Sequence, residues 1–259
     1  MTGSTYLDTI LAFHRSRAEN DLRSLNELLE LVPEVSSRGF SDRLTQESRL
    51  SVIAEVKRQS PSKGILKADL DPSSLAHEYA VSGAACVSVL TDAEHFSGSE
   101  ADLRLVRNAI DLPILRKDFT VDPRDICDAK IMGADCVLLI VSALERSELI
   151  ELHELAIDLG MDALVETHDE REIEIALGIG AKLIGVNQRD LKTFQVDQTR
   201  AIRVAEEIPQ GIVKVAESGI KNPKDAKALA DVGYDAVLIG EALVISENPR
   251  QIIKELKEL

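Results

Sequence analysis

Aromatic residues and cysteines are both scarce in this sequence. The 259-residue chain has no tryptophan, and aromatic residues together make up 3% of it. A core must therefore be built from Ile, Leu, Val and Ala. The three cysteines, Cys86, Cys127 and Cys136, lie in apolar or helical stretches and show no C-x-x-C spacing. This pattern favours reduced, buried thiols over a disulfide framework or a metal set, and it indicates a cytoplasmic protein.

The sequence also lacks an excess of basic residues and any long apolar run. Its formal net charge is −15, which argues against nucleic acid or an anionic membrane surface as a partner. No stretch approaches the ~20 apolar residues of a membrane helix. The N-terminal segment MTGSTYLDTI has neither the basic start nor the apolar run of a signal peptide. A small anionic substrate stays compatible with this charge, because clustered lysines can focus the field in one cleft.

One pattern does recur along the chain: a glycine follows an amphipathic stretch and precedes a short apolar run. Examples are SGAACVSVL at Gly83, MGADCVLLI at Gly133 and VGYDAVLIG at Gly233, with further copies at Gly160 and Gly180. Glycine is suited to the left-handed position that ends a helix. The following run is too short for a helix and is apolar on both faces, as a buried parallel strand is. The unit is therefore helix, tight turn and buried strand.

With three further apolar runs, the pattern gives eight strands separated by helical segments. The strands are predicted to begin near Ser51, Ala85, Pro113, Asp135, Asp162, Lys182, Ile212 and Asp235. Eight parallel βα units close most naturally into a (β/α)8 TIM barrel. The alternative is an open doubly wound sheet, which the absence of GxGxxG after the first strand disfavours. We expect a single domain over residues 1–259, in which residues 1–48 form a helical extension that packs over one end of the barrel.

Charged residues stand where several of these strands end, and a barrel of this kind carries its chemistry at those ends. Glu55 and Lys57 end the first strand and, being two positions apart, face the same way. Lys117 ends the third strand and Glu166 the fifth. Burial of an unpaired charge costs several kcal/mol, so the convergence of these four residues favours a catalytic cluster. Mutual salt bridging among them is the alternative that the sequence leaves open.

The loops after the last two strands have the composition of a phosphate site. VAESGI contains Ser218 and Gly219, and LIGEAL contains Gly240. In barrel enzymes these two loops, with a helix N-terminus, are the usual phosphate cradle. The first loop, EVKRQSPSKG, adds hydroxyl and ammonium donors at Ser60 and Lys63 that suit an anionic group.

The remaining polar residues offer little further chemistry. We expect no metal and no cofactor, because the histidines have no ligand spacing. They are His14, His77, His95, His153 and His168. We expect His95 and His168, in loops near the mouth, to be bystanders. Residues at strand ends that we expect to be solvated are Arg116, Asp118 and Glu241.

Several segments, in this order, resemble the indole-3-glycerol-phosphate synthase family. They are IAEVKRQSPSKG (Ile53–Gly64), PILRKDF (Pro113–Phe119), LVET (Leu164–Thr167), IGVNQRDL (Ile184–Leu191) and VAESGI (Val215–Ile220). The first motif is highly specific, and the resemblance covers essentially the whole chain. It implies a (β/α)8 barrel acting on 1-(2-carboxyphenylamino)-1-deoxyribulose 5-phosphate, an anionic aryl-amino sugar phosphate. The products are indole-3-glycerol phosphate, carbon dioxide and water.

The resemblance also implies roles for the charged residues. Lys117 is the general acid that protonates the developing oxyanion during ring closure. Glu166 is its partner in the dehydration, and Glu55 orients and tunes the lysines. Lys57 binds an anionic group of the substrate and shares the acid role, so which lysine is the principal acid stays open. Asn187 and Ser218 are included in the catalytic set.

By the same resemblance, substrate contacts fall into three groups. Carboxylate and hydroxyl groups are bound by Ser60, Asn187 and Arg189. The phosphate is bound by Ser218, Gly219 and Gly240. The aromatic ring packs against Phe96, Phe119, Leu138 and Leu191. One departure is Glu241, where several relatives have a serine; a carboxylate cannot donate to phosphate, although its backbone N–H still can.

Three other functions stay open at this point. In a barrel aldolase, Lys117 would form a Schiff base with a ketose phosphate. A barrel that only binds a sugar phosphate, or serves as a partner subunit, would need no acid–base pair. Isomerisation of an aminoribosyl phosphate is possible on the same fold, although the EVKRQSPSKG segment speaks against it. We expect a monomer whose partner is the small-molecule substrate.

Overall fold

Eight parallel strands close into a barrel in the computed structural model, which describes residues 5–47 and 49–259. Every strand begins within one residue of its predicted start. Pairing of Ser51 with Ala236 and of Ala54 with Ile239 joins the first strand to the last. The open doubly wound sheet is therefore excluded. The strands are β1 Ser51–Val56, β2 Cys86–Leu90, β3 Ile114–Lys117, β4 Cys136–Ile140, β5 Asp162–Thr167, β6 Leu183–Asn187, β7 Val213–Glu217 and β8 Ala236–Ile239.

Helices precede, separate and follow these strands. They are α1 Tyr6–Glu19, α2 Leu25–Leu31, α3 Phe40–Thr45, α4 Pro72–Ser82, α5 Ala93–Phe96, α6 Glu100–Ala109, α7 Pro123–Met132, α8 Arg146–Asp158, α9 Glu170–Gly178, α10 Arg200–Val204, α11 Pro223–Asp231, α12 Glu241–Val244 and α13 Pro249–Lys257. Two 3-10 turns, Val141–Ala143 and Ala205–Glu207, and a two-stranded hairpin of Gln59–Ser60 with Gly64–Ile65 complete the chain.

Local sequence explains where the helices begin and end. The side chain of Asn222 accepts hydrogen bonds from the backbone N–H groups of Lys224 and Asp225, and proline follows at the first helical position. Asn248 caps α13 in the same way. At the other end, Gly133 takes a φ of 93° as it terminates α7, a conformation that costs glycine little. A buried strand begins within a few residues after each such turn.

Alternation along each strand separates two apolar layers. In β1, Val52, Ala54 and Val56 face outward and pack beneath the helices, whereas Ile53 faces the barrel interior. Glu55 has the same parity as Ile53, so it faces inward at the mouth. The interior layer is completed by residues such as Leu115, Leu138, Leu164 and Leu238. Aliphatic side chains thus fill the barrel, and its last inward positions are left for charged groups.

The N-terminal extension differs from the expectation that it covers one end of the barrel. Helix α1 lies at the mouth, where His14 Nε2 is 2.8 Å from Asp92 Oδ2 in the loop after β2. Helix α3 lies at the opposite end, where the Ser41 backbone N–H donates to Asp162 at the start of β5. The extension therefore reaches both ends of the barrel. Residues 1–4 and Ser48 of the expected extension lie outside the described residues.

Two further expectations can be compared with the structure. The three cysteines are buried and free, as their spacing predicts. Among the described residues, every helix is too short or too polar to cross a bilayer.

Phe40 is the residue by which α3 closes the base of the barrel, and it is fully buried. We expect Phe40→Ala to lower the free energy of unfolding by about 3–5 kcal/mol, because it leaves a cavity among interior side chains. Urea denaturation followed by circular dichroism measures the change. Leu22→Ala is the control, since Leu22 is 96% exposed and its loss should have little effect. A loss below about 1 kcal/mol for Phe40→Ala would show that the base of the barrel does not depend on α3.

Candidate active site

A cavity of about 620 Å³ opens at the C-terminal ends of the barrel strands. Every site residue that the sequence nominated lines it, which follows from the shared position of those residues at strand ends or in the loops beyond them. They are Glu55, Lys57, Ser60, Phe96, Lys117, Phe119, Leu138, Glu166, Asn187, Arg189, Leu191, Ser218, Gly219 and Gly240.

Lys117 lies at the centre of a charged layer across the mouth. Its Nζ is 3.2 Å from Glu166 Oε2 and 3.5 Å from Glu217 Oε2. Glu55, Lys117, Glu166 and Glu217 come from β1, β3, β5 and β7. In such barrels, each interior layer takes its four side chains from alternate strands. The uppermost layer of this barrel is therefore one lysine and three glutamates.

Burial and mutual charge set the protonation of this layer. Burial alone would lower the pKa of Lys117, but Glu166, Glu217 and Glu55 together raise it, so its amine stays an ammonium. Burial alone would raise the pKa of Glu166. The charges of Lys117 and His168 and a hydrogen bond from Asn187 lower it instead, so Glu166 is a carboxylate. Asn187 Nδ2 donates to Glu166 Oε1 at 3.1 Å.

Glu217 also lines the cavity, although the sequence did not nominate it as a site residue. It is buried, and burial raises its pKa to about 8, with Glu166 and Glu55 adding to the shift against the opposing charge of Lys117. Glu217 is therefore largely protonated at neutral pH. It is the last residue of β7, directly before Ser218 and Gly219, which the sequence does nominate. Its position could have been predicted from the strand order, because it lies at the end of an odd-numbered strand, as Glu55, Lys117 and Glu166 do.

Two glycines make room for this layer. A Cβ at Gly185, in β6, would overlap the Glu217 carboxylate, and a Cβ at Gly240 would overlap that of Glu55. Gly240 was interpreted from sequence as allowing close approach of a phosphate. The structure adds a second reason, since the Glu55 carboxylate occupies the space beside it. Glu55 in turn pairs with Lys57 at 2.5 Å between Oε1 and Nζ.

The first loop contacts two others across the mouth. Arg189 Nη1 donates to Ser62 Oγ at 3.3 Å, which joins the loops after β1 and β6. Lys63 Nζ is 3.8 Å from Glu241 Oε1, which joins the loops after β1 and β8. The Glu241 carboxylate is therefore within reach of a cation at the mouth. The contacts bring polar side chains from three segments of the chain around one opening.

The loop after β7 has an unusual backbone. Ser218 and Gly219 have φ values of 64° and 76°, and a positive φ is uncommon for serine. A Cβ at Gly219 would approach Val196 Cγ1 to 2.6 Å. Helix α12 begins just beyond Gly240, and the first N–H groups of a helix have no acceptor within it. This end of the cavity therefore offers backbone donors suited to an anion.

Arg116 and Asp118 do not match the expectation that they are solvated. Both are buried, and Arg116 Nη2 is 3.0 Å from Asp118 Oδ2. Arg116 neighbours the inward-facing Lys117, so alternation turns it outward beneath α7, where it donates to the Asp125 carbonyl. Thr91 Oγ1 donates to Asp118 at 2.5 Å. These two residues hold the strand ends together. Glu241, the third residue of that group, is partly exposed.

One group of side chains beside the cavity has ligand atoms close enough to hold a metal ion. The ligand atoms of His14, Asp92 and His95 all lie within 4.8 Å of one another. Both imidazoles contact Asp92 Oδ2, at 2.8 and 3.0 Å. Burial alone would raise the pKa of Asp92, but hydrogen bonds from the two histidines hold it at about 2. The two histidines are too far apart in the chain for ligand spacing to be visible in the sequence.

Comparison with known proteins identifies relatives over most of the chain. A family model described as indole-3-glycerol phosphate synthase matches residues 7–256. The indole-3-glycerol phosphate synthase of a Parafrankia strain is 48% identical over 238 residues, 92% of this chain and 88% of the relative. That of Beutenbergia cavernae is 50% identical over 227 residues, 88% of this chain and 84% of the relative.

Solved structures of low sequence identity are also similar to this chain, and this similarity shows the fold alone. The thiamine phosphate pyrophosphorylase of Pyrococcus furiosus superposes with a TM-score of 0.60 and 18% identity, covering 84% of this chain and 96% of that protein.

The raised pKa of Glu217 predicts a pH-dependent contribution to stability. The protonated group stabilises the fold below its ordinary pKa near 4.5, and this contribution is lost as pH rises through about 8. Glu217→Gln does not titrate. We therefore expect wild type to lose stability relative to Glu217→Gln between pH 5 and 8, as measured by urea unfolding.

Glu174→Gln is the matched control for this experiment, because Glu174 is exposed on α9. Its stability should run parallel to wild type across the same pH range. If the Glu217→Gln curve also runs parallel to wild type, Glu217 is already ionised in the folded protein.

Proposed function

The chain belongs to the indole-3-glycerol phosphate synthase family, and we propose that Lys117, between Glu166 and Glu217, is the proton donor of its ring-closing reaction. The family's enzymes are carboxy-lyases of tryptophan biosynthesis. In the proposed reaction, an aryl carbon that carries a carboxylate attacks the ketone of 1-(2-carboxyphenylamino)-1-deoxyribulose 5-phosphate. Carbon dioxide and water then leave, and indole-3-glycerol phosphate remains.

The observation that carries this assignment is the charged layer around the lysine. An alkoxide forming on the ketone oxygen is a far stronger base than an amine, so the Lys117 ammonium can donate to it. The surrounding glutamates keep that ammonium charged until the oxyanion develops. Lys57 has its own partner, Glu55, and it lines the same cavity, so we assign it as a second cation for the substrate. This supports Lys117 as the principal acid and Lys57 as an anion-binding residue that shares the acid role.

Dehydration needs a base as well as an acid. Glu166 is a carboxylate 3.2 Å from Lys117 Nζ, and Asn187 fixes its other oxygen. It is therefore suited to take a proton from the methylene carbon next to the former ketone carbon. The lysine and the glutamate can then exchange protons directly.

The rest of the cavity matches the other parts of this substrate. Donors of the loops that contain Ser218, Gly219 and Gly240 suit the phosphate, with Ser218 completing the catalytic set. Carboxylate and hydroxyl groups are matched by Ser60 and Arg189, with Asn187 nearby. The apolar wall that would hold the aromatic ring consists of Phe96, Phe119, Leu138 and Leu191.

The aldolase alternative conflicts with the environment of the lysine. A Schiff base requires a neutral amine, which enzymes obtain by lowering the pKa of a lysine. The glutamates around Lys117 raise its pKa instead. Borohydride with a ketose phosphate should therefore leave Lys117 unmodified, and a reduced adduct on this residue would favour the aldolase.

The same proposal covers the setting in which the enzyme works. We infer a single-domain monomer, because one chain supplies all the cavity residues. We infer a cytoplasmic location from the free cysteines. The net charge of −15 argues against a nucleic-acid partner. The only partner that this proposal requires is the small phosphate-bearing substrate.

Lys117→Ala and Glu166→Gln test the proposed roles. We expect either change to lower kcat by on the order of a hundredfold or more, because each removes a group that moves a proton in the transition state. A fluorescence assay for the indole product measures turnover, and circular dichroism checks the fold. Lys182→Ala is the control, since this exposed lysine precedes β6 at the far end of the barrel.

Two results would count against the proposal. Folded wild-type protein that produces no indole signal would exclude the reaction. Retention of full turnover by Lys117→Ala would move the role of principal acid to Lys57.

A further inference from the structure

The proposed reaction consumes a proton, and this inference rests on that reaction. The ketone oxygen gains one proton as the new carbon–carbon bond forms. The bond to the ring carboxylate then breaks, and its electron pair restores the aromatic ring as carbon dioxide leaves. The resulting hydroxyl leaves as water after taking a second proton, and the adjacent methylene carbon loses one. Two protons are donated and one is recovered, so each turnover draws one proton from solvent into a buried layer.

Two side chains, His168 and Glu172, connect that layer to the surface beside α9. His168 follows β5 directly, and its Nε2 is 3.5 Å from Glu166 Oε1. Its Nδ1 is 2.9 Å from Glu172 Oε2. Glu172 keeps 16% of its side chain exposed, whereas Glu166 keeps 1%. The path from Glu172 through His168 to Glu166 therefore runs from a partly exposed carboxylate to a buried one. It ends at Lys117, with 2.9, 3.5 and 3.2 Å between successive partners.

Local backbone structure fixes both outer members of this path. Glu172 Oε2 also accepts the backbone N–H of His168 at 2.8 Å. The N-cap residue of α9, Asp169, accepts the backbone N–H of Glu172 at 2.9 Å. Within the described residues, His168 Nε2 is buried and has no hydrogen-bond partner, and Glu166 is the carboxylate that it approaches. The imidazole is thus held by Nδ1 with Nε2 directed at the catalytic glutamate.

We propose that His168 is a positioning and proton-relay residue that passes a proton from Glu172 and solvent to Glu166, and through it to Lys117. After Lys117 has protonated the substrate, the Glu166 carboxylate takes a proton from the His168 imidazolium and passes it to the neutral amine of Lys117. His168 then regains a proton from solvent through Glu172. No bond other than N–H and O–H changes in this relay. His168 was expected from sequence to be a bystander.

The charged groups that face His168 favour this role. Burial alone would lower the pKa of His168 and Arg200 of α10 also lowers it, but the hydrogen bond to Glu172 and the charge of Glu166 raise it above its ordinary value. Across the layer, the charge of His168 also acts on Glu217, whose pKa it lowers against the effect of burial. A substantial fraction of His168 is therefore imidazolium near neutral pH. The rate should fall as pH rises through this pKa.

The pH profile of single-turnover rates tests the relay, because single turnovers remove product release from the measurement. We expect His168→Gln to lower the rate about tenfold at neutral pH and to abolish the fall with rising pH. The effect should be smaller than the ~10²–10⁴-fold of a direct general acid or base, because His168 acts through Glu166. KM should change little, since His168 does not line the substrate cavity. Glu172→Gln should also lower the rate, by less, because His168 retains partial access to solvent.

Two variants control for changes unrelated to the relay. His153→Gln alters a histidine of α8, and Glu174→Gln alters an exposed residue of the same helix as Glu172. Both should keep the wild-type rate and pH profile. If His168→Gln does not fold, Glu172→Gln tests the relay instead. A wild-type rate and pH profile in Glu172→Gln would contradict the relay.

Different results would refute the relay and the proposed function. Wild-type protein that makes no indole product would refute the reaction itself. Active wild type with an unchanged pH profile in His168→Gln would refute only the relay. Equal changes in KM and kcat without a change in the pH profile would assign His168 a structural role.

Discussion

The position of Lys117 among three glutamates is the interaction on which the site depends. A buried charge is costly unless it is paired, and removal of one partner leaves the others uncompensated. Here the ammonium lies within 3.2 and 3.5 Å of two carboxyl groups, and Glu217 adapts by holding a proton. The layer is stable because its charges offset one another. The same arrangement keeps the lysine charged, as the proposed proton transfer requires, so salt bridging and the proposed catalysis are compatible.

This layer constrains residues that have no charge. Gly185 and Gly240 leave space for the carboxylates of Glu217 and Glu55, and aliphatic residues such as Leu164 and Leu238 fill the barrel beneath them. The low dielectric of that packing strengthens every charge interaction above it. Barrel core and active site are therefore parts of one arrangement, in which the last inward position of each odd-numbered strand carries a charged group.

Contacts between distant segments complete the mouth. His14 of α1 meets Asp92 after β2, and Arg15 of the same helix makes a bidentate pair with Glu148 of α8. Both contacts tie the N-terminal extension to the side of the barrel where the cavity opens. An acidic protein can still bind an anionic substrate, because the cations of Lys57, Lys63, Lys117, Arg189 and Lys221 line this cavity.

The sequence by itself determined the barrel, the order of its strands and the ends at which chemistry occurs. Glycine after a helix and apolar runs of strand length are local signals that can be read from neighbouring residues. Side chains along a strand alternate between its two faces with a period of two residues, so Glu55 and Lys57 could be placed on one face. Tertiary structure alone decided the rest. The burial of Arg116 and Asp118, the protonation of Glu217 and the approach of His168 to Glu166 depend on distances between segments. Such distances follow from how the closed barrel packs, and no local pattern in the chain records them.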